Sequence, residues 1–211
     1  MDEFDSDDFS ENFNPRGWTE KDWFLYLKKS DAEISRFASL YTVNRLRGHT
    51  LDEIAVMAGW PMPKEGVSFD EPEGNPEMDA EFSEEPWTLL NHPIYIITRA
   101  LLKCLREHFG RVIDETQISP MLVWEISKTL TEAETFMALA ANSTDLAEDL
   151  LARCNYKMSS VKLNDIMAKI DEIPEPKSEQ GKERMRRIEN IIFDLRQVCL
   201  NMAETSIVSK K

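Results

Sequence analysis

Three histidines, three cysteines and scattered carboxylates are the residues of this 211-residue chain able to act as acid, base, nucleophile or metal ligand. His108 follows Glu107 on a helix-spaced apolar stripe, and together with Glu107 or Glu125 it could serve acid–base chemistry or a metal. A helix ending at Gly110 would favour a charged imidazole at His108 through its dipole, a structural role that needs no substrate. Spacing assigns no second catalytic partner. Di-iron helical bundles use Glu-x-x-His twice, yet the residues three before His49, His92 and His108 are Leu46, Leu89 and Leu105. Glu125 and Glu132 share a helix face and Glu134 points elsewhere, which reads as a solvated charged surface. His92 precedes Pro93 as a helix cap, and His49 falls in a turn. Nucleophile elbows, glycine-rich phosphate loops and His-Glu-x-x-His are absent from the sequence. No catalytic residue, metal ligand or cofactor is assigned, and the residues lean away from an enzyme.

Two features carry binding chemistry instead. Lys182, Arg184, Arg186 and Arg187 crowd the first turns of the last helix, where cations oppose the macrodipole. Glu179, Glu183 and Glu189 are near enough to offset them, as are the chain's acidic segments or an acidic partner. Phe4, Phe9 and Phe13 are set among acids, a pattern that docks by inserting rings into an apolar groove with a basic rim. These seven residues are the expected partner-binding set.

Charge divides the chain into its parts. Residues 1 to 14 hold six acids and no base, and residues 61 to 86 hold nine acids against Lys64 alone, in a chain of net charge −14. Such segments bury too little apolar surface to offset the entropy of ordering. The expected organisation is an acidic disordered tail (1–16), an N-terminal helix pair (17–60), an acidic proline-rich spacer (61–86) and a helical bundle (87–211). The negative balance argues against nucleic acid or anionic lipid as a general partner. MDEFDSDDF has no positive n-region or apolar h-region, and no apolar run is long enough to span a bilayer. Cys104, Cys154 and Cys199 lie far apart in helix-like patterns, which favours buried thiols. The expected location is the cytoplasm.

The fold expected is all-α. Thr19 caps a helix with Asp22 at its third position and Trp23, Leu27, Ser30, Ile34, Phe37 and Tyr41 on its buried face, running to about Leu46 and stopped by Gly48. Thr50 and Glu53 form a capping box that opens a short helix through Leu51, Ile54, Ala55 and Ala58, closed by Gly59. About five helices follow Trp87. The first starts at Pro93 and carries Ile94, Ile97, Leu101, Cys104 or Leu105, and His108 to Gly110. The second opens at Ser119-Pro120 and carries Leu122, Ile126, Leu130, Ala133, Met137 and Ala140 to Asn142. A third, capped near Ser143, is lined by Leu146, Leu150, Leu151 and Cys154, and a fourth carries Val161, Leu163, Ile166, Met167 and Ile170. The last has the clearest stripe: Met185, Ile188, Ile192, Leu195, Cys199 and Met202, broadened by Ile191 and Val198. That stripe would also suit a homo-oligomer.

Thr50-Leu-Asp-Glu-Ile-Ala55-Val-Met-Ala-Gly59 resembles the first helix and turn of helix-turn-helix DNA-binding domains, in which a small alanine four residues before the turn glycine lets two helices cross closely. The resemblance covers about ten residues and implies a DNA-associated regulator. It stops at Trp60-Pro61-Met62-Pro63, where proline opposes the recognition helix such a domain requires. The leading expectation is a non-enzymatic protein-interaction or adaptor module. A DNA-associated regulator using residues 50–59, and a helical enzyme or metal protein using His108 with nearby carboxylates, are the alternatives.

Overall fold

The computed structural model describes residues 18–60, 89–146 and 148–205, and among them the protein is all-α with no strand. The acidic tail, the 61–86 spacer and Trp87 lie outside the described residues. Helix α1 spans Glu20–Arg45, α2 Leu51–Met57, α3 Pro93–Glu115, α4 Pro120–Asp145, α5 Asp149–Ile170 and α6 Glu179–Thr205. A 3-10 turn at Leu89–Asn91 leads into α3.

Local chemistry starts and stops these helices. Thr19 with Asp22 and Thr50 with Glu53 form complete capping boxes, each satisfying two backbone donors that a helix start would otherwise strand. Gly48 and Gly59 have φ of 88° and 96°, a left-handed turn that an L side chain resists. Pro93 and Pro120 occupy first-turn positions where a missing N–H costs nothing. Ser119 Oγ accepts from Leu122 N at 3.2 Å, whereas the His92 side chain makes no capping bond.

Packing then assembles the elements. Helix α4 lies on α5, α5 on α6, α6 on α3 and α3 on α4, closing a four-helix ring, while α1 lies on α3 and α2 on α1. Ile34, Phe37, Tyr41, Ile54 and Ala58 from the N-terminal pair share one continuous core with the bundle. The α6 stripe is consumed inside it: Ile188, Ile192, Leu195 and Cys199 are fully buried, and Ile191 and Val198 nearly so.

Several expectations are corrected. In α1, Trp23 and Leu27 are 40% and 48% exposed, and Tyr26 takes the buried position. The inward face there runs Tyr26, Ser30, Ile34, Phe37, Tyr41. Gly110 does not stop α3, which runs to Glu115; one glycine costs only about 1 kcal/mol in a helix whose Val112 is fully buried. Ser143 is no cap but a buried residue within α4. The two helices expected from Ser143 to Ile170 are one, α5, so among the described residues the bundle has four long helices. Leu146, Leu150, Leu151 and Val161 are all at least half exposed, and Cys154 is exposed too. The buried face of α5 is Ala152, Tyr156, Ser159, Ser160, Leu163, Ile166 and Ile170.

The start of α6 has a steric requirement of its own. Ser178 Oγ accepts from Gly181 N at 2.8 Å, and a Cβ at Gly181 would lie 2.5 Å from Pro176 Cβ and 2.6 Å from Glu115 Oε2. Helix propensity favours alanine here, but the clash should win. Gly181→Ala is expected to lower stability by about 1–3 kcal/mol, and Leu195→Ala by roughly 2–5 kcal/mol. Denaturant midpoints measure both; an unchanged midpoint for Leu195→Ala would make α6 peripheral.

Candidate functional site

A buried polar network and a small cleft lie together where α1, α3 and α6 meet. Asp194 of α6 is buried and accepts from Tyr41 Oη at 2.7 Å, Arg45 Nε at 2.9 Å and Arg45 Nη2 at 3.1 Å. Burial, then the Asp194 charge, pushes the Tyr41 hydroxyl far above its ordinary range, so it remains a donor. Beside this network is a cleft of about 50 Å³ lined by Thr42, Leu46, Cys104, His108, Arg187 and Asn190 among others. That is room for a guest the size of water.

The cleft brings His108 and Arg187, two residues picked out in the sequence, to one place. His108 sits mid-helix, so the dipole expected to favour its charged form is absent. Burial first, then Arg187 and Arg111, instead holds its pKa below 6.5, and its Nδ1 is buried without a hydrogen-bond partner. Cys104 is one turn away, 3.7 Å from Thr42 Oγ1, with its thiol donating to Ala38 O at 3.8 Å. Burial pushes that thiol up, and pushes Cys199 up to about 11, so both stay protonated and unreactive near neutrality. The arrangement therefore holds a neutral imidazole and a neutral thiol beside charges that already neutralise one another. It supplies no activated nucleophile.

Of the carboxylates expected to partner His108, Glu125 is taken by α5 and Glu107 lines a different recess, and the neighbouring acids of α4 are paired as well. Glu125 pairs with Lys169 and Glu132 with Lys162, both tying α4 to α5, while Glu134 takes Arg99 and Arg106 from α3. Glu107 lines a separate open recess of about 440 Å³ between α1 and α3, with Asp31, Ser35, Arg99, Lys103 and Arg106. Among the described residues no group of three or more His, Cys, Asp or Glu is placed to hold a metal ion.

The basic start of α6 is partnered locally. Lys182 lies near Glu175 and Glu179, Arg186 and Arg187 near Glu183, and Arg184 pairs with Glu115 across on α3. Phe4, Phe9 and Phe13 lie outside the described residues.

A surface feature was missed by sequence reasoning. Leu150, Cys154, Met158 and Val161, spaced 4, 4 and 3, form an outward stripe on α5; Leu151 on the same helix and Leu146 at the end of α4 are exposed as well. At about 100° per residue this stripe is nearly opposite the helix's buried face. The sequence reading divides these residues, with Leu150, Leu151 and Cys154 on one helix, Val161 on the next and Met158 on neither; the available signal is a second apolar face at one helical spacing from Leu150 to Val161.

Comparison with known protein families, with curated proteins and with solved structures finds no match to this chain.

Two outcomes follow from the cleft. Asp194→Ala leaves Arg45 and the Tyr41 hydroxyl without their acceptor and is expected to cost about 2–4 kcal/mol, against about 1 kcal/mol for Tyr41→Phe. A lowered folded pKa means that His108 contributes stability above pH 6.5 which is lost as pH falls through its folded pKa. The His108→Phe variant should therefore lose less stability than the parent between about pH 7 and about pH 5, measured by urea unfolding at each pH. Parallel pH profiles would remove His108 from that account.

Proposed function

We propose that this chain is a non-enzymatic helical interaction module that holds a protein partner on the outward face of α5. The observation carrying this reading is the apolar stripe Leu150–Cys154–Met158–Val161, exposed although the same helix has a complete buried face. A helix embedded on one side and apolar on the other has a second face to cover. With Leu146 and Leu151 the exposed apolar surface is on the order of 500 Å², the size of the largest patch on a typical monomer, which is often a functional one.

The chemistry elsewhere supports binding over catalysis. Each buried ionisable group near the α1–α3–α6 cleft is either paired or held neutral, and the thiols there are protonated. Helix α2 has Asp52 and Glu53 in its first turn and no base in its last, which gives duplex DNA little to attract it.

The stripe should be dispensable for folding and needed for contact. Leu150→Glu with Met158→Glu is expected to leave the fold of the single chain intact, its unfolding free energy within about 0.5 kcal/mol of the unassociated parent per substitution, as at other exposed positions. A photo-crosslinking residue at position 158 should give discrete adducts in cells that Leu150→Glu abolishes, with none from a control at Asp171. Equal adducts from both positions, or unfolding of the double variant, would overturn the reading.

A further inference from the structure

We infer that the occupant of the α5 stripe is a second copy of this chain, paired helix to helix about a two-fold axis near position 156. The inference rests on the interaction reading above and names its partner. The stripe is self-complementary when reversed: with two α5 helices antiparallel, Leu150 meets Val161 of the second copy and Cys154 meets its Met158. The pairs set a branched side chain against a branched one and a small side chain against a long flexible one. Such matching is what an isologous interface requires, since each residue must serve both sides of the axis.

Charge favours a like copy over an acidic peptide. Helix α5 carries Arg153, Lys157, Lys162 and Lys169 against Asp149 and Asp165, but Lys162 and Lys169 are already neutralised by Glu132 and Glu125 of α4. Arg153 donates to the Ala203 carbonyl of α6 at 3.1 Å. The rim is thus close to neutral, without the surplus cations that would select an acidic ligand. Area agrees with this occupant. Two patches of this size remove about 1,000 Å² from water, the threshold for a specific interface, and the flanking polar residues add to it. The stripe runs roughly 16 Å, about three turns, so helix pairing covers it fully.

The geometry makes Cys154 the reporter. Of the chain's three cysteines, Cys104 and Cys199 are buried and Cys154 is exposed. In the proposed pairing the two Cys154 Cα atoms lie about 7 Å apart, from an offset of three to four residues and an ordinary helix spacing less the Cα radius of each helix. The full-length chain should sediment as a dimer across low-micromolar to near-millimolar concentrations, and a short bismaleimide should link it into a covalent dimer. Cys154→Ser should abolish the link without changing sedimentation. Leu150→Glu with Met158→Glu should yield monomer, whereas Phe193→Glu, an exposed apolar position on α6, should leave the dimer intact. A monomer at every concentration overturns the second copy as occupant. If position 158 still gives adducts with another protein in cells, the interaction reading stands without the dimer; if those adducts are absent too, both fall. A dimer that survives the α5 double substitution and is lost in Phe193→Glu would move the interface to α6 and overturn the proposal.

Discussion

The buried carboxylate of Asp194 is the interaction on which the arrangement of α1 depends. It lies on α6, and its two oxygens take three donors from α1. Burying a carboxylate is costly unless its lone pairs are satisfied. The requirement fixes the rotation and depth of α1 against α6, because only one placement delivers both the Tyr41 hydroxyl and the Arg45 fork. Apolar contacts of Ile34, Phe37 and Ile54 then fill the space that this placement leaves. The same network leaves the neighbouring cleft small and electrically balanced, so this polar network reads as architecture.

Ion pairs between helices serve a similar positioning role in the bundle. Glu125 with Lys169, Glu132 with Lys162, and Ser159 donating to the Ala133 carbonyl at 3.1 Å all specify one antiparallel alignment of α4 with α5. Exposed pairs contribute little stability individually. Their value is in penalising a shifted alignment, which would strand each partner. Arg184 with Glu115 does the same between α6 and α3, and turns a helix start crowded with cations into a clasp.

Helix starts and stops were legible in the sequence wherever they were written locally: the two capping boxes, Gly48, Gly59 and the prolines at 93 and 120. The α6 face was legible because its apolar residues are large and confined to one side. Helix α5 was misread for a physical reason. Its inward face mixes the small Ala152, Ser159 and Ser160 with Tyr156, Leu163, Ile166 and Ile170, and Ser159 donates to the Ala133 carbonyl of α4, so in its first half small and polar residues take buried positions. The larger Leu150, Leu151 and Val161 are left outside, and hydropathy alone ranks the outer face as the core. The cleft could not be read at all, because Tyr41, Cys104, His108 and Asp194 are joined only by tertiary packing.

The distance along the chain between Asp194 and its donors has a consequence for biogenesis. Helices α1 and α2 carry their own starting signals and can form as soon as they leave the ribosome, but Tyr41 and Arg45 meet their acceptor only after some 150 further residues are made. Phe37 can already meet Trp60, and α3 can already pack on α1, so what waits is polar. A growing chain therefore holds the Tyr41 hydroxyl and the Arg45 fork without their buried acceptor, and their pairing is timed by synthesis of the final helix, not by any signal within the first.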